Sequence, residues 1–92
     1  MTATQLAPAP IDRARERVSL AGTIRAAGTV RAGTSPVYRC VLAGRWGELD
    51  LLFLGRVTVA GLAVGVRCRI EGTVTVRCGR PAVWNPRYQV EP

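Results

Sequence analysis

From Val18 to the C-terminus the chain alternates apolar and polar residues with a period of two, and glycine and proline clusters cut the alternation into short runs. Successive side chains of a strand point to opposite faces, so this period dictates half-buried β-strands rather than helices. Val18, Leu20, Gly22 and Ile24 fall on one face and Ser19, Ala21, Thr23 and Arg25 on the other. This first strand runs on through Gly28 to Val30 or Arg31, its glycines permitting the sharp bend that a small barrel needs at a corner.

A turn cluster over residues 32–36 precedes a second strand, in which Tyr38, Cys40 and Leu42 alternate with Val37, Arg39, Val41 and Ala43. Gly44-Arg45-Trp46-Gly47 forms a tight connection, and in the third strand Leu49, Leu51 and Phe53 oppose Glu48, Asp50 and Leu52, with Phe53 in the core. Residues 55–65 lack the period and predict an irregular connection, with room for one helical turn over 60–64. In a long fourth strand Arg67, Arg69, Glu71, Thr73 and Thr75 oppose Cys68, Ile70, Gly72, Val74 and Val76. Arg77-Cys78-Gly79-Arg80 closes a hairpin into a fifth strand over 81–90, where Pro81 and Pro86 suit an edge or a bulge.

Ninety-two residues make one domain. Residues 1–16, with Pro8, Pro10 and the charged string that begins at Asp12, have no apolar period and predict a flexible N-terminal arm ahead of a folded domain over 17–92. All thirteen basic residues are Arg against six acids, a net charge of +7 and a pI near 11.0, which suits a polyanionic partner. A GC-rich coding sequence also enriches Arg over Lys, so charge alone does not establish binding.

The three cysteines, Cys40, Cys68 and Cys78, form no C-x-x-C pair, and the chain has no His, so neither a zinc site nor any other metal or cofactor is expected. They read as small core residues in a reducing, cytoplasmic compartment. No signal peptide or membrane span is expected, because the longest weakly polar run covers only residues 57–66. With no His, no Lys and two serines, the chain lacks a nucleophile–base pair, and an enzyme is the least favoured class. That reading would need a metal site among the scattered carboxylates, Glu48 and Asp50 being the residues to test.

Five strands, a longer connection between the third and fourth and a short hairpin between the fourth and fifth follow the order of an OB-fold, a five-stranded Greek-key barrel. The local motifs agree in order and spacing: Leu51-Leu52-Phe53-Leu54-Gly55-Arg56, Gly61-Leu62-x-x-Gly65-x-Arg67, Glu71-Gly72-x-Val74, Gly79-Arg80 and Asn85-Pro86-Arg87-Tyr88. Over residues 17–92 the chain resembles the small bacterial OB-fold nucleic-acid-binding domain proteins and is distantly similar to the wedge domain of the RecG helicase. Those relatives often carry an Asp-Gly-Thr-Gly-like turn where this chain has Gly44-Arg45-Trp46-Gly47. Gly65, Gly72 and Gly79 read as turn or close-approach positions, and Asn85-Pro86 as a bend.

OB-folds bind single strands on the face of strands two and three and the adjoining loops, with Arg on phosphates and aromatic rings on bases. That geometry nominates Arg31, Arg39, Arg45, Trp46, Arg77 and Arg80, with Arg25 and Arg56 behind them. Trp46, between two glycines, is expected to be exposed, either to stack on a base or to pack on another subunit. Trp84 falls where either face is open to it, a plug at one end of the barrel being the favoured place. The function expected is a non-catalytic module for single-stranded DNA or RNA with little sequence preference. It would act alone or beside a larger DNA-processing protein. The alternative is a protein-interaction or homo-oligomerisation module built on strand edges and Trp46. Asp50 beside Arg39 argues for weak binding, about micromolar at low salt. Three to five phosphates would give a salt slope of roughly −2 to −4.

Overall fold

The computed structural model describes residues 15–92. It is all-β, with β1 (Arg17–Ala32), β2 (Ser35–Gly44), β3 (Gly47–Leu54), β4 (Arg67–Arg77), β5 (Arg80–Trp84) and β6 (Arg87–Val90). The sheet order is β1-β2-β3-β5-β4-β6, and a further β1–β4 pairing closes the first five strands into a ring. Every neighbouring pair is antiparallel except β3 and β5. No helix among the described residues is long and apolar enough to cross a membrane.

Strand β1 belongs to both halves of the ring. Arg17 to Thr23 pair with β4 and Thr23 to Ala32 with β2, and the β2 register slips between Ile24 and Ala26. A bulge at the point where a strand changes partners bends it and increases its twist, which lets a short ring close. Gly22 lies just before this corner, fully packed against β2: a Cβ there would run into the Ala43 carbonyl oxygen. Upstream, Arg15 N–H donates to the Val74 carbonyl and Val74 N–H to the Glu16 carbonyl, so the ladder reaches back to these two residues. The rest of the expected arm, residues 1–14, lies outside the described residues.

The alternation read from the sequence sets which side chains face inward. Ile24, Tyr38, Cys40, Leu42, Leu49, Leu51, Phe53, Cys68, Ile70, Val74 and Val83 form one buried cluster inside the ring. Val76, one period further along β4, is 40% exposed because it lies past the packed interior near the hairpin. That hairpin has two central residues, Cys78 and Gly79, both at positive φ (55° and 75°), the geometry that matches the right-handed twist of its strands.

Three expectations are corrected. The fifth run is two strands: Asn85 takes a positive φ of 50° and Pro86 carries no N–H, so the ladder breaks there and β6 resumes beside the first half of β4. Residues 60–64 form no helical turn; the connection instead makes two tight turns, closed by Leu62 N–H to the Val59 carbonyl (3.2 Å) and Val66 N–H to the Ala63 carbonyl (3.1 Å). Val59 and Leu62 drop into the core between them, and the buried Tyr38 hydroxyl donates to the Leu62 carbonyl at 2.6 Å. The open end of the ring is thus filled by this connection and not by Trp84.

Candidate functional site

The nominated face, the outside of β2, β3 and β5, is occupied by an ion cluster. Asp50 is 1% exposed and accepts from Arg39 Nε at 3.2 Å, Arg80 Nε at 3.1 Å and Arg80 Nη2 at 2.9 Å. Arg80 Nη2 also lies 3.5 Å from Glu48 Oε1, and Glu48 Oε2 lies 2.6 Å from Arg25 Nε. A carboxylate withdrawn from water is tolerable only when paired and hydrogen-bonded, and here both Asp50 oxygens are engaged. The hydrogen bond to Asp50 in turn raises the Arg80 pKa above its ordinary value. Beside the charges, Val37, Leu52 and Ala82 make a small buried apolar cluster with Val30 and Ala32 at its margin.

The nominated residues therefore separate into two groups. Arg25, Arg39 and Arg80 are held by Glu48 and Asp50, and Arg31 Nη1 donates to the Thr34 carbonyl at 2.9 Å within its own hairpin. Arg45, Arg56 and Arg77 make no side-chain hydrogen bond or ion pair with another described residue; the parallel β3–β5 pairing puts the β2–β3 turn that carries Arg45 at the same end of the ring as the β4–β5 hairpin beside Arg77, whereas Arg56 follows the far end of β3. A cation placed at Glu48 and Asp50 would face three guanidinium groups, so this pair does not form the metal site that an enzyme reading would need.

Trp46 is half-buried and borders a surface depression with Arg45 and Arg67. Its ring folds back against the core cluster and its Nε1–H donates to the Ala21 carbonyl at 3.0 Å. Gly44 makes room for it, since a Cβ at that position would strike the indole nitrogen. The glycine before the tryptophan, read as part of a turn, was the available signal for this packing.

Trp84 is the more open of the two tryptophans. It is 36% exposed, its N–H has no partner among the described residues, and it lines a surface groove of about 400 Å³ with Arg17, Thr73, Thr75, Asn85 and Arg87 around Glu71 and Gly72. A second depression of about 240 Å³, lined by Arg69, Glu71, Arg87, Tyr88 and Gln89, shares Glu71 and Arg87 with it. Ladder register explains the convergence: Arg17 stands opposite Thr73, Glu71 opposite Arg87 and Arg69 opposite Gln89, all on the outer face. Arg17, Arg69 and Arg87 make no side-chain hydrogen bond or ion pair with another described residue, whereas Arg67, farther along, is 3.5 Å from Glu91. Sequence reasoning missed this set because it depends on where β6 pairs, although the outward phase of Arg69 and Glu71 was readable.

All three cysteines are free; Cys40 and Cys68 are buried as expected, whereas Cys78, also read as a core residue, is exposed because it sits in the two-residue β4–β5 hairpin. Burial pushes the Cys40 thiol up to about 11 and the Cys68 thiol in the same direction, which suits core residues and opposes nucleophilic or ligand roles. Compared with protein-family models and with curated protein sequences, the chain matches none.

Proposed function

We propose that this protein is an OB-fold module that binds single-stranded nucleic acid through backbone contacts, with little sequence preference and no catalytic step. The observation that carries the reading is the strand order. The ring runs β1-β2-β3-β5-β4, β3 and β5 are parallel, and β1 is shared across a bulge, which is the connectivity expected of an OB barrel. A net charge of +7 on a chain with several unpaired exposed arginines supports a polyanionic ligand. Cytoplasmic residence and a larger DNA-processing partner belong to the same reading.

Fluorescence-anisotropy titration of labelled single-stranded DNA, single-stranded RNA and duplex DNA at two salt concentrations tests it. Single strands should bind in the micromolar range at low salt with a slope of roughly −2 to −4. Absence of binding to every oligonucleotide at low salt would refute it.

A second reading, a protein-interaction module, draws on the apolar side chains left exposed at one end of the ring, Leu54 (50%), Val57 (59%) and Val64 (64%). Trp46 no longer contributes to it. Concentration-dependent mass in light scattering, lost on Val57→Ser with Val64→Ser, would favour this reading.

A further inference from the structure

The outside of β4 and β6, bordered by the start of β1 and by Trp84 at the end of β5, brings an exposed aromatic ring and unpaired cations into one groove. The face of β2 and β3 that an OB-fold ordinarily offers has its arginines neutralised by two carboxylates and its centre closed by apolar side chains. Resting on the reading that this is a single-strand-binding module, we propose that the strand runs along the β1–β4–β6 face. One base stacks on Trp84, and Arg17, Arg87 and Arg69 take successive phosphates.

The geometry supports each role. The Trp84 ring has solvent on one side and no polar partner for its N–H, so stacking costs it no hydrogen bond. Arg17 and Arg87 line the Trp84 groove and Arg87 and Arg69 the adjoining one, so the two depressions form a continuous track along β4. From Thr75 to Arg69 that track is about 20 Å long at roughly 3.3 Å per residue, room for a few extended nucleotides. Glu71 lies at its middle and opposes phosphate, but three guanidiniums against one carboxylate leave the face net positive. Thr73 and Thr75 add hydroxyl groups suited to sugar or base edges without selecting a sequence, while the Asn85 side-chain oxygen is already engaged, accepting from Leu54 N–H at 3.1 Å. A duplex keeps its bases stacked inside and cannot present one to Trp84.

The test is titration of the whole chain with fluorescein-labelled oligothymidylate and with duplex DNA, comparing wild type, Trp84→Ala, Trp84→Phe, Arg17→Ala with Arg87→Ala, and Arg45→Ala with Arg77→Ala. Trp84→Ala should weaken single-strand binding about 5- to 100-fold, as expected for the loss of one stacked base, and leave duplex binding unchanged. Trp84→Phe should retain most of the affinity, which separates stacking from misfolding. The Arg17/Arg87 pair should reduce the single-strand salt slope by about 1.4, twice the ~0.7 per phosphate, while the Arg45/Arg77 pair reduces it less. Tryptophan emission should be quenched on binding in wild type and not in Trp84→Phe, where only the half-buried Trp46 remains. Single-strand binding insensitive to Trp84 and to Arg17/Arg87 but lost in Arg45→Ala with Arg77→Ala would overturn this face and leave the binding function standing. Equal competition by polyglutamate with no effect of Trp84→Ala would reduce the groove to a general polyanion surface, and no binding at all would overturn both proposals.

Discussion

The two outer faces of the ring carry similar numbers of arginines and use them differently. On the β2–β3–β5 side Arg39 and Arg80 converge on one buried carboxylate, Glu48 ties in Arg25, and the surroundings are dry. On the β1–β4–β6 side Arg17, Arg69 and Arg87 stand around a single exposed Glu71 without pairing. A guanidinium held by a carboxylate has its charge offset and its donors engaged and contributes to the fold; an unpaired one is available to a ligand. Net charge counts both kinds alike, so charge composition is a poor guide to where a basic protein binds.

This contrast breaks most readily at Asp50. Replacing it with Ala leaves two arginines facing an apolar cluster without their acceptor, and urea denaturation should show a loss of about 2–4 kcal/mol. That is less than a fully buried pair would lose, because both guanidiniums keep partial access to water. A loss below about 0.5 kcal/mol would mean that the cluster behaves as an ordinary surface pair and that the faces do not differ.

Gly22→Ala acts on the corner that both faces share. The added methyl meets the Ala43 backbone, which cannot move without disturbing the β1–β2 ladder, so a loss of about 2 kcal/mol is expected. An unchanged midpoint would show that the bulge absorbs the methyl and is softer than its packing implies.

Alkaline pH compares what lies beneath each face, Cys40 under β2 and Cys68 under β4. Burial raises the Cys40 thiol from 9.0 to about 11, favouring the neutral form in the folded state. Its contribution is therefore complete below about pH 9 and lost as pH rises through 11, on the order of 2 kcal/mol by linkage. Cys68 shifts in the same direction, so Cys40→Ala and Cys68→Ala should each shrink the alkaline loss; a reduction only with Cys40 would mean that water reaches the interior beneath the open face.

The smallest effect belongs to the open face itself. Arg17→Ala and Arg87→Ala should leave the urea midpoint where it is, since neither side chain has a partner to lose. A clear shift would show that these arginines support the fold and are not free for a ligand.

Much of the fold was legible because a period of two fixes the phase of a strand. Val18 to Ile24, Tyr38 to Leu42, Leu49 to Phe53 and Cys68 to Val74 all point as the alternation dictates. Phase does not determine burial, however. Asp50 was correctly placed outward beside Arg39, yet its withdrawal from water depends on Arg80, thirty residues away and brought in by the parallel β3–β5 pairing. The tryptophans were hard to place for a similar reason. Trp46 lies in a turn, where alternation stops and the missing side chain of Gly44 decides the direction. Trp84 precedes the break at Asn85, so its exposure depends on where β6 rejoins the sheet.

The seam between β1 and β4 also orders the birth of the molecule. During synthesis the first three strands emerge as consecutive hairpins that can form locally, but Val18 must wait for Gly72, its partner in the ladder. Until then Arg17 to Thr23 present a bare strand edge, the feature through which nascent chains find the wrong neighbour. Closing so long a loop is entropically slow, so ring closure should limit the folding rate. The arginine at the start of that edge then repels a second copy of itself while the chain is still incomplete.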